Sequence, residues 1–190
     1  RQRQMCIRDS ANTGDLGGID YVDAISGVDE MVSQGFADPK RLGVGGYSYG
    51  GYLSSWSITQ TTRFKASVSG GILADLISFY GTTDIPQYLT IHLGEPPFPE
   101  QSLAWQRSPL KHASKVTTPV LFYVGDSDQR TPPGQVHQMH RAVEDAGVTT
   151  LKVIYPGEGH GFVDRNNQLD LMQRMLAWYG RYLSPAGASQ

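Results

Sequence analysis

Ser48 lies in a sequence pattern that presents serine nucleophiles, because residues 46–50 read Gly-Tyr-Ser-Tyr-Gly and fit G-x-S-x-G. In this pattern a strand turns sharply into a helix and holds the serine hydroxyl in a strained, exposed position. The strand is predicted at residues 42–45, and the helix is predicted at residues 49–59. The amino end of such a helix stabilises a developing anion, and the backbone N–H of Tyr49 is predicted to be one oxyanion donor. The pattern favours a nucleophilic serine over a glycine-rich turn that happens to contain a serine.

His160 has the surroundings expected of the general base that a serine nucleophile requires. It follows the apolar strand predicted at residues 151–155 through a short loop, and Gly159 and Gly161 stand on either side of it. Glycines at both positions allow the backbone to turn the imidazole into a cleft. We therefore predict that His160 accepts the proton of Ser48.

The other four histidines are predicted to take no part in the chemistry. His92 and His112 fall in an irregular region, where surface or packing roles are expected. His137 and His140 have the i, i+3 spacing of one helix face, with Glu144 four residues beyond. Such a spacing could hold a metal ion, but we interpret it as a solvated helix face. We therefore predict no metal site.

A carboxylate that orients the histidine is expected after the strand predicted at residues 120–124. In hydrolases with this serine pattern, the acid follows a strand that lies between the serine and the histidine in the chain. Residues 125–128 read Gly-Asp-Ser-Asp and place two candidates there. Either Asp126 or Asp128 could orient the imidazole, and the other would form a turn. The spacing alone leaves both assignments open.

These candidate residues follow strands in a chain that alternates between strands and helices. Periodicity and turn residues predict helices at residues 21–34, 49–59, 133–146 and 169–183, and strands at residues 42–45, 64–69, 120–124 and 151–155. Residues 70–115 are rich in proline and are predicted to be irregular, with short helices within them. The alternation predicts one α/β domain with a mostly parallel sheet and helices on both of its faces.

The composition excludes several other classes of protein. Sixteen Lys and Arg against 18 Asp and Glu give the 190 residues a formal net charge of −2. Because this balance lacks the basic field of a nucleic-acid-binding protein, we expect no nucleic-acid partner. No apolar run approaches the ~20 residues of a membrane span, so we expect no membrane partner. No signal peptide is visible in the first ten residues, which are polar. A single cysteine, Cys6, excludes an internal disulfide and a multi-cysteine zinc site.

The first ten residues, RQRQMCIRDS, differ from the rest of the chain because they show no periodicity. The string QRQMCIRDS resembles a translated sequencing-library adapter. We therefore interpret residues 1–10 as a non-native, disordered segment and apply the fold prediction to residues 11–190.

From about residue 14 to residue 183, the chain resembles the catalytic domain of the prolyl oligopeptidase family of serine peptidases, especially its acylaminoacyl-peptidase-like branch. Five segments carry the resemblance, in the family's order: GDLGGIDYVDAISGVDEMVSQGFADPKRLGVGGYSYGGY, RFKASV, LISFYGTTDI, DSDQRTPPGQ and YPGEGHGF. The resemblance implies an α/β-hydrolase fold. It also implies hydrolysis of peptide bonds in oligopeptides through an acyl-enzyme, without a metal or organic cofactor.

The resemblance further implies the roles of single residues. Ser48 is the implied nucleophile and His160 the implied base. Asp128 is the implied acid, because the family's D-x-R-x-P pattern falls on residues 128–132. By this match Asp126 is not the acid.

The resemblance also points to residues that could bind the substrate. Arg130 matches a position that in relatives lies near the carbonyls of the substrate backbone, and a structural salt bridge is the equal alternative. Tyr47, Tyr49, Phe79 and Tyr80 could help to line the pocket for the residue before the scissile bond. Core packing is the ordinary alternative for such aromatic side chains.

The chain departs from the family pattern in two respects. Val124 stands where relatives often carry a histidine, at a position that is not catalytic. The family's earlier strands, its His-Gly-Gly-type loop with a second oxyanion donor and its usual β-propeller are not in this sequence. We therefore expect residues 11–190 to be the C-terminal part of the α/β-hydrolase domain, with N-terminal strands missing and an N-terminal region, a β-propeller, in the full-length protein.

Two other functions are compatible with the same residues. A carboxylesterase or other acyl hydrolase of this fold uses the same triad, which does not distinguish amides from esters. An inactive fragment could also act only as a binding module, although serine, aspartate and histidine in the required order argue against it.

Overall fold

The computed structural model describes residues 13–98 and 102–184, which are built around a parallel sheet of four strands. The strands lie side by side in chain order: β1 (Gly43–Tyr47), β2 (Ala66–Gly70), β3 (Val120–Gly125) and β4 (Thr150–Tyr155). Because each neighbouring pair is parallel, all four carboxyl ends lie at the same end of the sheet. The segment interpreted as non-native, residues 1–10, lies outside the described residues.

Helices connect the strands and surround the sheet, as the alternating pattern predicts. They are α1 (Ile19–Ser33), α2 (Tyr49–Gln60), α3 (Leu76–Thr82), α4 (Gln87–Leu93), α5 (Leu103–Gln106), a 3-10 helix (Pro109–Lys115), α6 (Pro133–Asp145) and α7 (Arg165–Leu183). Within the described ranges, no helix combines the length and the apolar character that crossing a bilayer requires.

Strand β3 contributes side chains to an apolar cluster on each face of the sheet. Its side chains alternate, since successive residues of a strand point to opposite faces. Val120, Phe122 and Val124 pack in a cluster with apolar residues of α6. Leu121 and Tyr123 pack in a different cluster with apolar residues of α7. Both faces of the strand are therefore buried, which explains why its sequence is continuously apolar.

Helix α7 begins at Arg165, earlier than the start at residue 169 that apolar spacing predicts. The side chain of Asp164 caps the helix by accepting hydrogen bonds from the backbone N–H groups of Asn166 (2.7 Å) and Asn167 (3.1 Å). The residues of the first turn, Arg165 to Gln168, are polar, and the cap stabilises this turn without apolar contacts. Apolar spacing therefore does not mark where the helix begins.

Residues 70–115, predicted to be irregular with short helices within them, begin with the last residue of β2 and contain α3, α4, α5 and the 3-10 helix. Side-chain hydrogen bonds attach this segment to α6. The buried Oε1 of Gln135, on α6, accepts from the backbone N–H groups of Ala74 and Asp75, both at 2.9 Å. The Asp75 carboxylate in turn accepts from two backbone N–H groups in the first turn of α3. These bonds fasten the segment after β2 to α6, so its path depends on a residue 60 positions away.

The loop between β4 and α7 is built around Glu158, which is 1% exposed. Its Oε1 accepts from the backbone N–H of Asp164 (3.0 Å) and from the side-chain amide of Asn167 (2.9 Å), and its Oε2 accepts from the backbone N–H of Val163 (2.8 Å). These bonds, with that of Asn167 foremost, lower the pKa of Glu158. Because His160 stands two residues after Glu158, the same bonds fix the loop that carries the imidazole.

We expect Glu158→Gln to lower the Tm at pH 7 by roughly 2–4 °C, since the amide replaces one acceptor oxygen by a donor. The pKa of Glu158 lies below its ordinary value of 4.5, so its stabilisation is complete above pH 4.5 and is lost as the pH falls through the lowered pKa. The difference in Tm between the two proteins should therefore shrink in acid. Thermal unfolding followed by circular dichroism from pH 7 to pH 3 measures it.

The matched control is Glu144→Gln, which neutralises an exposed carboxylate that lies 3.3 Å from Arg141 on α6. Its Tm should stay close to that of the parent, because exposed pairs contribute little. A Tm difference for Glu158→Gln that does not change with pH would contradict the role given to its charge.

Candidate active site

Ser48 stands between β1 and α2 in a backbone conformation that L-residues rarely adopt. Its φ is 60° and its ψ is −121°, and it is the one non-glycine with positive φ among the described residues. Its backbone N–H donates to the carbonyl oxygen of Gly70 at 3.0 Å, at the end of β2. A Cβ at position 46 would come within 2.5 Å of the backbone of Gly50, so the turn requires Gly46. The strained turn holds the hydroxyl at the carboxyl end of the sheet.

A continuous chain of hydrogen bonds joins Ser48, His160 and Asp128. The Oγ of Ser48 lies 2.9 Å from Nε2 of His160, and Nδ1 of His160 lies 2.9 Å from Oδ2 of Asp128. An ionised carboxylate only accepts, so Nδ1 carries the proton and the lone pair of Nε2 accepts from the serine hydroxyl. This tautomer is the one that can remove a proton from Ser48.

Asp128 lies in a site from which solvent is excluded, since none of its side chain is exposed. Its Oδ1 accepts from the backbone N–H groups of Arg130 and Thr131, both at 2.9 Å. Its Oδ2 accepts from the hydroxyls of Thr131 (2.8 Å) and Tyr47 (3.1 Å), as well as from His160. Buried carboxylates need such donors in place of water. The turn that follows Asp128 supplies most of them.

Asp126, the other candidate acid, makes different hydrogen bonds. Its Oδ1 accepts from the backbone N–H of Gly157 at 2.8 Å and from the hydroxyl of Ser127 at 2.8 Å. Its side chain is exposed and joins the loop after β3 to the loop after β4. The geometry therefore brings Asp128 to the imidazole and uses Asp126 to connect two loops.

A small pocket opens beside Ser48. Its walls come from the start of α2, from the segment after β2 and from the turn after Asp128, and the residues that line it are Ser48, Tyr49, Leu73, Phe79, Ile85, Tyr88, Arg130 and Thr131. Of the four aromatic residues predicted to line a substrate pocket, Tyr49 and Phe79 are in this group and Tyr47 and Tyr80 are not. Tyr80 instead packs edge-on against Phe98, with ring centroids 5.3 Å apart.

Tyr49 combines two features of the site. It is the first residue of α2, so its backbone lies at the amino end of the helix next to Ser48. Its phenol hydrogen-bonds to the carboxylate of Asp20 on α1, and its ring stacks on Tyr52. Asp20 and Tyr52 therefore fix the side chain, while the backbone stays beside the serine.

Arg130 forms an ion pair across the pocket wall with Asp84. Its Nε and Nη2 donate to the two carboxylate oxygens of Asp84 at 2.7 and 3.2 Å. These bonds lower the pKa of Asp84 and raise that of Arg130. The salt bridge that the sequence allows is thus formed, and it holds the guanidinium at the pocket.

The remaining histidines lie apart from this hydrogen-bonded chain. Partial burial, and then Lys152, lower the pKa values of His137 and His140 on α6. His92 packs on Tyr88 with centroids 4.3 Å apart, and burial lowers its pKa as well. In the described part of the chain, no group of three or more His, Cys, Asp or Glu side chains is arranged to hold a metal ion.

Thr131 and Glu158 are residues of the site that pattern analysis of the sequence does not assign. Thr131 is buried, and its hydroxyl lies 2.8 Å from Asp128 and 3.4 Å from Nδ1 of His160. A hydroxyl three residues after an aspartate is an ordinary turn pattern, so it carries no specific signal. A glutamate between glycines, two residues before the predicted base, is the one clue to Glu158.

The chain is similar to known peptidases in sequence and in fold. The sequence model of the prolyl oligopeptidase family matches residues 9–186. An uncharacterized peptidase of Bacillus subtilis (strain 168), YuxL, is 37% identical over 179 residues, which cover 92% of this chain and 27% of the relative. The acylamino-acid-releasing enzyme of Arabidopsis thaliana is 32% identical over 178 residues, which cover 89% of this chain and 23% of the enzyme.

Among solved structures, a puromycin-hydrolyzing peptidase of Mycobacterium tuberculosis superimposes with a TM-score of 0.85 at 35% identity, over 92% of this chain and 27% of that one. The predicted α/β-hydrolase fold class is therefore confirmed. The chain spans about a quarter of the length of each of these three proteins. Because the family's sequence model matches nearly the whole chain, this chain belongs to the prolyl oligopeptidase family.

Proposed function

We propose that this chain is the catalytic part of a serine peptidase that hydrolyses peptide bonds of oligopeptides through an acyl-enzyme. The observation that carries the proposal is the unbroken hydrogen-bonded chain from the Ser48 hydroxyl through His160 to the buried Asp128. Two of the three relatives described above are named as peptidases, which supports amide bonds as the substrate class.

The proposed reaction begins with proton transfer inside this chain. As Oγ of Ser48 attacks the peptide carbonyl, Nε2 of His160 takes the hydroxyl proton, and the charge of Asp128 stabilises the imidazolium. The tetrahedral oxyanion is stabilised by the backbone N–H of Tyr49 and by the amino end of α2. His160 then gives the proton to the leaving amine as the C–N bond breaks, which leaves Ser48 acylated. A water molecule, deprotonated by His160, hydrolyses the ester and restores the serine.

The pocket beside Ser48 is proposed to bind the residue before the scissile bond. Phe79 and Tyr49 supply apolar walls, and Arg130 lies among them. Asp84 holds the guanidinium through Nε and Nη2, so its remaining N–H groups are the ones proposed to meet a carbonyl of the substrate backbone. Tyr80, which packs on Phe98, is proposed as a support of the pocket wall behind Phe79.

The complete protein is proposed to contain further parts of the site. The relatives are about four times as long as the segment that this chain matches, which leaves room for additional strands, a second oxyanion donor and a domain that restricts access. The family resemblance implies a β-propeller for that domain. The experiments below therefore use the complete protein encoded by the gene.

We expect Ser48→Ala and His160→Ala each to lower kcat on the order of 10⁶-fold, because nucleophile and base act as one unit. Hydrolysis of a peptide anilide measures the loss, and a fluorophosphonate probe should label the parent at Ser48 but not the Ser48→Ala variant. His137→Ala, on the exposed face of α6, is the control and should keep the parent's activity. A parent that the probe does not label would contradict the proposal and favour a binding module.

We expect Asp128→Asn to lower kcat by about 10⁴-fold, because an amide no longer stabilises the required tautomer and imidazolium. Asp126→Asn changes the same chemical group in the same loop, yet it should retain most of the activity, since Asp126 bonds to Gly157 and not to the imidazole. Steady-state kinetics of both variants provide the test. Loss of activity in Asp126→Asn with activity kept in Asp128→Asn would show that the acid is assigned wrongly.

We expect a peptidase rather than an esterase, and paired substrates distinguish the two. The complete protein should cleave peptide anilides with a higher kcat/KM than p-nitrophenyl esters of short-chain acids. The rate of spontaneous ester hydrolysis is subtracted first. Ser48→Ala serves as the blank for both substrates. Turnover of the esters alone would identify an acyl hydrolase of the same fold.

A further inference from the structure

Tyr47, the last residue of β1, packs with its ring beside the imidazole of His160. Its ring stacks on Tyr123 with centroids 5.6 Å apart and an interplanar angle of 23°. The centroid of the same ring lies 5.1 Å from that of His160. Tyr47 is not among the residues that line the pocket beside Ser48. The side chain is therefore placed to act on the triad rather than on the substrate.

The hydroxyl of Tyr47 donates to the carboxylate oxygen that also binds the imidazole. It lies 3.1 Å from Oδ2 of Asp128, and the same oxygen lies 2.9 Å from Nδ1 of His160 and 2.8 Å from the hydroxyl of Thr131. Burial first, and then the charge of Asp128, hold the pKa of Tyr47 far above its ordinary value. The phenol therefore stays protonated and remains a donor at any pH at which the triad works.

The fold leaves space for this ring at one glycine. Gly71 has a φ of +49°, and a Cβ there would come within 2.9 Å of the Tyr47 ring and 2.8 Å of the Thr131 hydroxyl. Phe162 closes the other side, edge-on, with centroids 6.1 Å apart. Tyr47 and Thr131 are thus packed into a position from which both hydroxyls reach the same carboxylate oxygen.

We infer that Tyr47 is a positioning residue of the triad, which holds the Asp128 carboxylate and supports the ring of His160. This inference rests on the proposed function. Because the hydroxyl and the imidazole share Oδ2, the hydroxyl's hydrogen bond takes up part of the negative charge that would otherwise stabilise the imidazolium. The hydroxyl fixes the geometry of the pair and moderates the strength of the base.

Tyr47→Phe removes the hydroxyl and keeps the ring. We expect kcat to fall by roughly 10-fold with KM unchanged, because the lost bond acts through Asp128 and not on the substrate. The acid limb of kcat/KM, which reports the imidazole, should move to higher pH because Oδ2 regains charge. The other titratable or charged side chains around the imidazole stay in place: Asp128, Tyr123, Glu158 and the Asp84–Arg130 pair.

Tyr155→Phe is the matched control, since it removes another tyrosine hydroxyl that donates to a carboxylate, at 2.8 Å from Asp170. It should change neither the pH profile nor kcat. Tm values of both variants separate effects on folding from effects on the triad. A rise in KM without a shift of the acid limb would place Tyr47 at the substrate and overturn the inference, as would an unchanged pH profile.

A second measurement does not need turnover. NMR titration of the His160 ring in the parent and in Tyr47→Phe should give a higher imidazole pKa in the variant, and equal values would overturn the inference. If the parent fails to react with the fluorophosphonate, the proposed function fails, while the titration still decides whether Tyr47 acts on the histidine. The two failures are therefore distinguishable.

Discussion

Parallel pairing of the strands in chain order is the constraint on which the site depends. It brings the carboxyl ends of β1, β3 and β4 to the same end of the sheet, and Ser48, Asp128 and His160 each follow one of these ends. The loops after β3 and β4 are also bonded to each other, since Ser127 N–H donates to the carbonyl of Glu158 at 3.0 Å and Gly157 N–H to Asp126 at 2.8 Å. The loops that carry the acid and the base are therefore fastened to each other. The turn that carries the serine follows β1, and β2 separates β1 from β3 in the sheet.

The burial of Asp128 explains how these loops can hold a carboxylate beside a histidine. A carboxylate without solvent requires donors, and here two backbone N–H groups and the Thr131 hydroxyl come from the turn that follows it. These donors hold the carboxylate independently of His160, so the imidazole bonds to a carboxylate whose orientation other groups also fix. Asp126, exposed and bonded to a neighbouring loop, holds the loops together instead. Two aspartates with nearly the same sequence position thus take different physical roles.

The parts of the site that could be predicted from the sequence are those whose local turns demand particular residues. Glycines around Ser48 and His160 mark sharp turns, so both could be proposed from spacing. Spacing could not decide between Asp126 and Asp128, because both follow the same strand and differ only in hydrogen bonds between loops; the family pattern at residues 128–132 was needed to imply Asp128. The contacts of the Tyr47 side chain could not be predicted either, because the space for its ring exists only where position 71 is a glycine. The path of residues 70–115 could not be predicted because it depends on hydrogen bonds to Gln135, which is distant in sequence.

The strain at Ser48 has to be balanced outside the turn. A backbone in such a region costs on the order of 1–3 kcal/mol. Helix α2 buries Tyr52 and Ile58 almost completely, and burial of one such side chain contributes about 1.5–3 kcal/mol, so two of them outweigh the strain. A Cβ at Gly51 would clash with the Gly70 carbonyl, and Ser54 hydrogen-bonds to Ser69 at 2.7 Å, so α2 lies directly against β2. Ser48 could relax only if α2 moved off β2. The position of the hydroxyl is therefore set by contacts that do not involve His160.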